Sequence, residues 1–163
     1  MRSTLIMAIL VAFAFAGCQP KVQNLDVKKE KTTAKSENWD INVNRSMFSS
    51  VDAALNKSCE VLNGEIQKFV SDLQDSLKAD ATEFFRSIEA DEMERPEWIY
   101  ELQVEDSVFM ATEQYISVRL TTYIFTGGAH GMTNFYTFNY DVKNQKLLSN
   151  QEILNYANEA QIN

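Results

Sequence analysis

Residues 59–77 read CEVLNGEIQKFVSDLQDSL, and this stretch decides the fold. Its apolar side chains recur every three or four residues, which places them on one stripe of an α-helix. The stripe consists of Cys59, Leu62, Ile66, Phe69, Leu73 and Leu77. The pattern predicts a long amphipathic helix that packs on another layer, with Cys59 as a small buried core residue rather than a nucleophile.

Local signals on either side predict where this helix begins and ends. Trp39–Phe48 has the composition of a short strand, and Ser50 and Asp52 offer N-cap oxygens directly after it. We therefore expect the helix to begin near Ser50. Pro96 ends the helical pattern, because proline lacks the N–H group that a helix interior needs.

Beyond the proline the hydrophobic period changes from that of a helix to the two-residue period of strands. In Tyr115–Phe125, Val118 and Leu120 share one face and Arg119 lies on the other. The full set of predicted elements is a hairpin of Trp98–Val104 and Val108–Thr112 turning at Asp106, then Tyr115–Phe125, Asn134–Tyr140 and a short C-terminal helix from Gln151. The sequence thus predicts an α+β fold, with one long helix packed on an antiparallel sheet of about four to five strands.

Residues 1–17 have the features of a bacterial signal peptide. Arg2 supplies the positive end, and Leu5–Phe15 is an uncharged apolar run of 11 residues. That run is shorter than the ~20 residues that a transmembrane helix needs. We expect an export signal, and not a permanent membrane span.

The end of this segment, FAGC at residues 15–18, resembles a lipobox, with Phe15 where an aliphatic residue is usual. We expect cleavage before Cys18 and lipidation of its thiol, which would anchor the protein in the cell envelope. Gln19 beside the cysteine predicts sorting to the outer membrane in a Gram-negative host. The open alternative is an ordinary secretory peptide cleaved near Ala16.

Residues 18–38 are rich in lysine and have little apolar content and no periodicity. This composition predicts a flexible tether that begins at the lipidated cysteine. The folded domain is then expected at residues 39–163.

The charge balance limits the partners and cofactors. Fifteen Lys and Arg face 23 Asp and Glu, a net charge of −8, which opposes binding to phosphate backbones. A single histidine excludes metal sites that need two or three imidazoles. We expect no nucleic-acid partner, no metal and no cofactor.

Two adjacent stretches carry a family resemblance. Residues 123–131 read YIFTGGAHG, and residues 134–141 read NFYTFNYD. Together they resemble the extracytoplasmic domain shared by the anti-sigma factor RsiV and the peptidoglycan deacetylase PdaC, in which a tyrosine-rich strand enters a Gly-Gly-Ala-His loop and a second aromatic strand follows. The resemblance covers Trp39–Tyr156.

The resemblance implies a domain that lies outside the membrane and is linked to the cell wall. The RsiV ectodomain is a receptor for lysozyme. The deacetylase activity of PdaC belongs to a separate catalytic domain that this chain lacks, so the resemblance implies no enzyme activity. We also expect no anti-sigma role, because the sequence offers no cytoplasmic segment to hold a sigma factor.

Domains of this kind continue past the short helix with more strands, whereas this sequence stops at Asn163. Whether the chain is a C-terminally incomplete family member stays open. An incomplete sheet would have an exposed edge, and such edges pair with partners.

The Gly-Gly-Ala-His loop is the candidate ligand-binding site. Gly127, Gly128 and Gly131 around His130 suit a tight connection with φ > 0 and an accessible backbone, and Tyr136 on the next strand completes the candidate set. The alternative is that the glycines only turn the chain, while the imidazole locks the loop by a hydrogen bond to a carbonyl.

The sequence thus predicts a lipid-anchored envelope binding module for a peptidoglycan-related ligand or a lysozyme-like protein. Lysozyme-like proteins are basic, and an acidic chain attracts such partners. One alternative is a structural envelope lipoprotein that oligomerises through a sheet edge. The other is a hydrolase that uses His130 as general base with a serine and an acid such as Asp141. We assign no catalytic residue.

Overall fold

The computed structural model of the chain describes residues 24–155. In this range a six-stranded sheet, ordered β1-β2-β3-β4-β5-β6, carries one long helix on one face. The elements are β1 Leu25–Lys35, β2 Trp39–Ser50, α1 Ala53–Ala90, β3 Tyr100–Ala111, β4 Tyr115–Phe125, β5 Met132–Asp141 and β6 Lys146–Leu147. Residues 150–155 are helical. The α+β prediction is confirmed, with slightly more strands than expected.

The sheet is mixed, because one pair of neighbours is parallel. β2 and β3 run side by side from the Trp39–Tyr100 pair to the Asn44–Glu105 pair, and every other pair of neighbouring strands is antiparallel. A parallel pair needs a long crossover connection, and α1 is that connection. Side-chain alternation reports which face a residue occupies but not the direction of the strand, so the sequence pattern missed the parallel pair.

Helix α1 begins and buries its stripe much as its sequence predicts. The Asp52 side chain accepts a hydrogen bond from the Leu55 N–H at 2.9 Å, so Asp52 is the N-cap. Cys59 and Leu62 are fully buried, whereas Phe69 is only partly buried. Alternate residues of three strands receive the helix, and the buried ones are Ile41, Val43, Leu102, Val104, Ile116, Val118 and Leu120.

The flexible tether predicted for residues 18–38 is wrong for Leu25–Lys35, which forms strand β1. Its 11 residues all pair antiparallel with β2. Its side chains are almost all exposed, so main-chain hydrogen bonds and ion pairs hold it, and not apolar burial. The lysines that indicated a tether are residues of an edge strand, where charge discourages aggregation. Residues 1–23, which include the predicted signal peptide and Cys18, lie outside the described residues.

β2 and β3 pair over only part of their length and then separate. Beyond that point, side chains rather than a neighbouring strand form hydrogen bonds with the main chain of β2. The Asp106 carboxylate accepts the Ser46 N–H at 3.1 Å and forms an ion pair with Lys29 of β1, and its side chain is only 1% exposed. The Asn63 amide of α1 accepts the Phe48 N–H at 3.0 Å and donates to the Phe48 carbonyl at 2.8 Å. These bonds satisfy main-chain groups that would otherwise lack a partner.

The hairpin predicted to turn at Asp106 is wrong, because Tyr100–Ala111 is one continuous strand. Its register shifts between Val108 and Met110, so Phe109 is the extra residue of a β-bulge. Asp106 resembles a turn residue in sequence, but its bonds to neighbouring strands keep it within the strand.

The structure predicts that the Cys59 thiol is unreactive in the folded protein. Burial raises the pKa of Cys59 to about 11, so the reactive thiolate is scarce at pH 8, and the side chain is 0% exposed. A thiol reagent whose leaving group absorbs light when the thiol displaces it gives the rate of modification. It should modify Cys59 at least tenfold more slowly in native buffer than in denaturant. Equal rates in the two conditions would contradict the burial of this helix face.

Candidate binding surface

The glycine loop between β4 and β5 is shaped by contacts with two aromatic rings. Gly127 has φ +101°, and a Cβ atom there would lie 2.5 Å from the ring of Trp98. Gly131 is equally restricted, because a Cβ atom would lie 2.5 Å from the ring of Tyr123. Gly128 has φ +92° and no neighbour within 4 Å of its Cβ position. The loop therefore rests on Trp98 and Tyr123 and exposes its tip.

His130 lies at this tip and is exposed. Its Nδ1 lies 3.1 Å from the carbonyl oxygen of the adjacent Gly131. This contact joins neighbouring residues, so it does not fasten the loop to another element. The geometry favours an accessible imidazole over a lock that ties the loop to the fold.

Tyr136 lies apart from the other four candidates. It belongs to the face of β5 that meets α1, where its ring packs on Phe69 with centroids 4.6 Å apart. It is also four residues beyond Met132, at the start of the strand, or about 13 Å along β5. The structure therefore brings Gly127, Gly128, His130 and Gly131 together but places Tyr136 in the packing beneath the helix.

The sheet face away from α1 carries a stack that sequence analysis did not single out. The guanidinium of Arg119 on β4 lies 5.2 Å from the ring centroid of Phe109 and 5.2 Å from that of Phe135. The two phenylalanines are 63% and 61% exposed. Among residues 24–155, no hydrogen bond or ion pair engages this guanidinium. Its Nε atom is buried and has no hydrogen-bond partner in this range.

We call this surface the open face, defined by Phe109, Met110, Tyr115, Arg119 and Phe135. Met110 and Tyr115 are 48% and 38% exposed. They also line an adjoining groove of about 340 Å³. Exposed apolar surface of this kind marks interaction sites in soluble proteins.

Two sequence signals could have located the open face. The two-residue alternation of β4 already places Arg119 opposite the core-facing Val118 and Leu120. Phe135 follows from the same alternation on β5, because it pairs across the sheet with Thr121. Phe109 could not be placed, since the bulge that carries it breaks the alternation of β3.

The hydrolase alternative is not supported by the geometry of its two proposed partners. Asp141 lies at the far end of β5 from His130, about 30 Å away along the strand. Its carboxylate accepts the Asn144 N–H at 2.9 Å and the Asn144 side-chain amide at 2.8 Å. Asp141 therefore shapes the turn after β5 and cannot orient the imidazole.

Two further properties of residues 24–155 bear on the site. No three His, Cys, Asp or Glu side chains in this range come together as ligands of a metal ion would. No helix in the same range combines the length and apolarity needed to cross a bilayer.

Comparison with protein families identifies a family that covers most of the chain. The family model described as Deacetylase PdaC matches residues 20–133. The matched segment contains β1 and extends through the glycine loop into the first residues of β5. The resemblance drawn from the YIFTGGAHG stretch is thereby confirmed for PdaC. No curated protein matches the sequence.

Solved structures similar to the chain include two from the DUF3298 family. A member of the DUF3298 family from Bacteroides fragilis has a TM-score of 0.52 and 16% identity, over 80% of this chain and 60% of that chain. A DUF3298 family protein from Pseudomonas aeruginosa has a TM-score of 0.46 and 19% identity, over 81% of this chain and 57% of that chain. The chain spans less than two thirds of the length of either structure. The first likeness shows a shared fold.

The loop geometry predicts opposite effects of alanine at two glycines. Gly127→Ala should lower the free energy of unfolding by about 2 kcal/mol or more, because φ +101° disfavours a side chain and the new Cβ would meet Trp98. Gly64→Ala is the matched control. Gly64 lies in α1 with nothing within 4 Å of its Cβ position, so alanine should raise stability by about 0.5–1 kcal/mol. Urea unfolding measures both. A neutral Gly127→Ala would contradict the loop conformation.

Proposed function

The chain belongs to the PdaC family, and we propose that it is a non-catalytic, lipid-anchored binding module of the cell envelope. The observation that carries this proposal is the open face. Phenylalanine, methionine, tyrosine and arginine are the residue types enriched at the centre of interfaces. Here they lie together on the surface opposite the helix, and the exposed loop with His130 lies at one end of the same two strands.

A peptidoglycan-related ligand fits the chemistry of this surface. The rings of Phe109 and Phe135 offer apolar area to the C–H faces of sugars. The Arg119 guanidinium offers charged donors to carboxylates, which it binds well. Peptidoglycan carries sugar rings and carboxylates close together. The stack therefore places two rings for sugars next to a guanidinium for carboxylates. These groups lie on β4, on β5 and on the bulge of β3.

A basic, lysozyme-like protein is the second candidate, and the net charge of −8 favours it. Charge of this sign accelerates the approach of a basic partner. The apolar residues of the open face would then form the centre of the interface.

Anchoring at Cys18 places the module at a membrane surface, and it predicts a change in fractionation. Cys18→Ser should move the protein from the membrane fraction to the soluble fraction, because the acylated thiol would be missing. Labelled fatty acid should enter the wild type only. A Cys18→Ser variant that still fractionates with membranes would contradict the anchor.

The open face predicts which substitutions abolish binding. Phe109→Ser and Arg119→Gln should each weaken cosedimentation with purified peptidoglycan at least tenfold, because each removes part of the stack. Val51→Ser is the matched control, since Val51 is 93% exposed but lies in the connection between β2 and α1. Melting temperatures should change little, because Phe109 and Val51 are largely exposed and the Arg119 guanidinium forms no hydrogen bond or ion pair within residues 24–155.

Two further measurements test the role of the glycine loop and the lysozyme-like partner. His130→Ala tests the loop: reduced binding at an unchanged melting temperature would include the imidazole in the site. Binding of a purified lysozyme by the same set of variants tests the second candidate. If the wild type binds neither peptidoglycan nor lysozyme, or if Val51→Ser is as damaging as Phe109→Ser, the proposed role of the open face is wrong.

A further inference from the structure

The outer edge of β5 is covered along only a small part of its length. β6 pairs with Tyr140 and Asp141, and the Asn139 carbonyl accepts a hydrogen bond from the Leu148 N–H at 2.7 Å. Residues 132–138 have no strand beside them on this side among residues 24–155. We call residues 132–138 the free edge.

The bond to Asn139 fixes which residues of the free edge direct their main-chain groups outward. In an antiparallel ladder, successive residues present N–H and C=O groups to opposite neighbours. The β4–β5 register runs from Tyr115–Asp141 to Ile124–Met132 with no bulge. Since Asn139 points outward, Thr133, Phe135 and Thr137 do so too. These three residues offer three N–H donors and three C=O acceptors to an added strand.

The two edges of the sheet differ in how they are protected. The opposite edge strand, β1, carries four lysines within its 11 residues: Lys28, Lys29, Lys31 and Lys35. The free edge reads MTNFYTF and contains no charge, no proline and no bulge. Charge on an edge strand opposes pairing with another chain. The lysines of β1 therefore oppose pairing with another chain at that edge, whereas the uncharged free edge of β5 is suited to such pairing.

We propose that the free edge pairs with the free edge of a second copy of this chain, antiparallel and symmetric about Phe135. In this register Phe135 faces its own counterpart on the two-fold axis, and Thr133 faces Thr137 of the other copy. All three pairs are hydrogen-bonded pairs, because these residues direct their main-chain groups outward. The dimer would gain six main-chain hydrogen bonds, two from each pair.

Three features favour a second copy over an unrelated strand. The pairing uses the whole free edge of each copy and ends where β6 begins, so the two paired segments have the same length. The segment is uncharged, so an antiparallel copy brings no like charges together. The connection that precedes each Met132 comes from β4 of its own chain, so it leads away from β6 of the other copy. Pairing would also cover Phe135, which is 61% exposed, and Met132, which is 65% exposed.

Cysteine cross-linking tests the register with the full chain in detergent micelles. Residues of a hydrogen-bonded antiparallel pair have Cα atoms about 5.5 Å apart, which suits a disulfide. Phe135→Cys should give a disulfide-linked dimer under mild oxidation. A mixture of Thr133→Cys and Thr137→Cys chains should cross-link, whereas Thr133→Cys alone should not. Lys31→Cys on β1 is the control for random collision.

A charge variant tests the dimer without cross-linking. Phe135→Lys would place two ammonium groups beside the two-fold axis and should raise the dimer dissociation constant at least tenfold in sedimentation equilibrium. Phe109→Lys is the matched control, because Phe109 has nearly the same exposure but lies on β3, away from the edge. Circular dichroism should show that both variants keep the fold.

Three results would overturn the proposal. The wild type could be monomeric throughout its soluble range of concentration. Lys31→Cys could cross-link as readily as Phe135→Cys. Phe109→Lys could weaken the dimer as much as Phe135→Lys. Phe135 belongs to the open face as well, but the binding assay uses Phe109 and Arg119 and the dimer assay uses Phe135, so the dimer and the ligand-binding role can fail separately.

Discussion

A single apolar stripe on α1 covers one face of the sheet, and most other features of the molecule depend on this constraint. The helix has 38 residues, and its stripe packs against the alternate residues of β2, β3 and β4. Buried side chains such as Leu62 and Leu120 each contribute about 1.5–3 kcal/mol to this layer. Within residues 24–155, the opposite face carries no second long helix, and only the short helix at residues 150–155 reaches it, where Ile153 lines a groove with Met110 and Tyr115. Side chains on that face can therefore serve binding without weakening the core.

The same constraint explains why β1 needs electrostatic support. β1 lies beyond the reach of the helix, so it buries almost no apolar surface and depends on its hydrogen bonds with β2. Asp106 strengthens this region from the other side, because its buried carboxylate bonds to the Ser46 main chain and to Lys29 of β1. One side chain on β3 thus links three strands. Loss of this carboxylate would leave a main-chain N–H unsatisfied at the point where β2 and β3 separate.

Sequence reasoning succeeded where burial imposes a period and failed where it does not. The spacing from Cys59 to Leu77 predicts α1, and alternation predicts β4 with the same bounds, Tyr115–Phe125, that the structure has. β1 has no buried face, so its sequence has no apolar alternation and looks like a linker. The face on which Phe109 lies could not be predicted from sequence for a related reason, because a bulge interrupts the alternation of β3. Proximity in sequence places Tyr136 with the loop, but the strand period assigns it to the opposite face from Arg119.

Recognition and stability are divided between the two faces of β4 and β5. On the helix side, Tyr136 packs on Phe69 and Leu120 is fully buried, so changes there act first on folding. On the other side, the Arg119 guanidinium stacks on two exposed rings, and a cation–π contact at an exposed site is worth about 0.5–1 kcal/mol. Such a stack contributes little to the fold, yet it holds a long, flexible side chain in one orientation. A guanidinium ordered before binding loses less entropy when it meets a carboxylate, and this favours recognition at the open face.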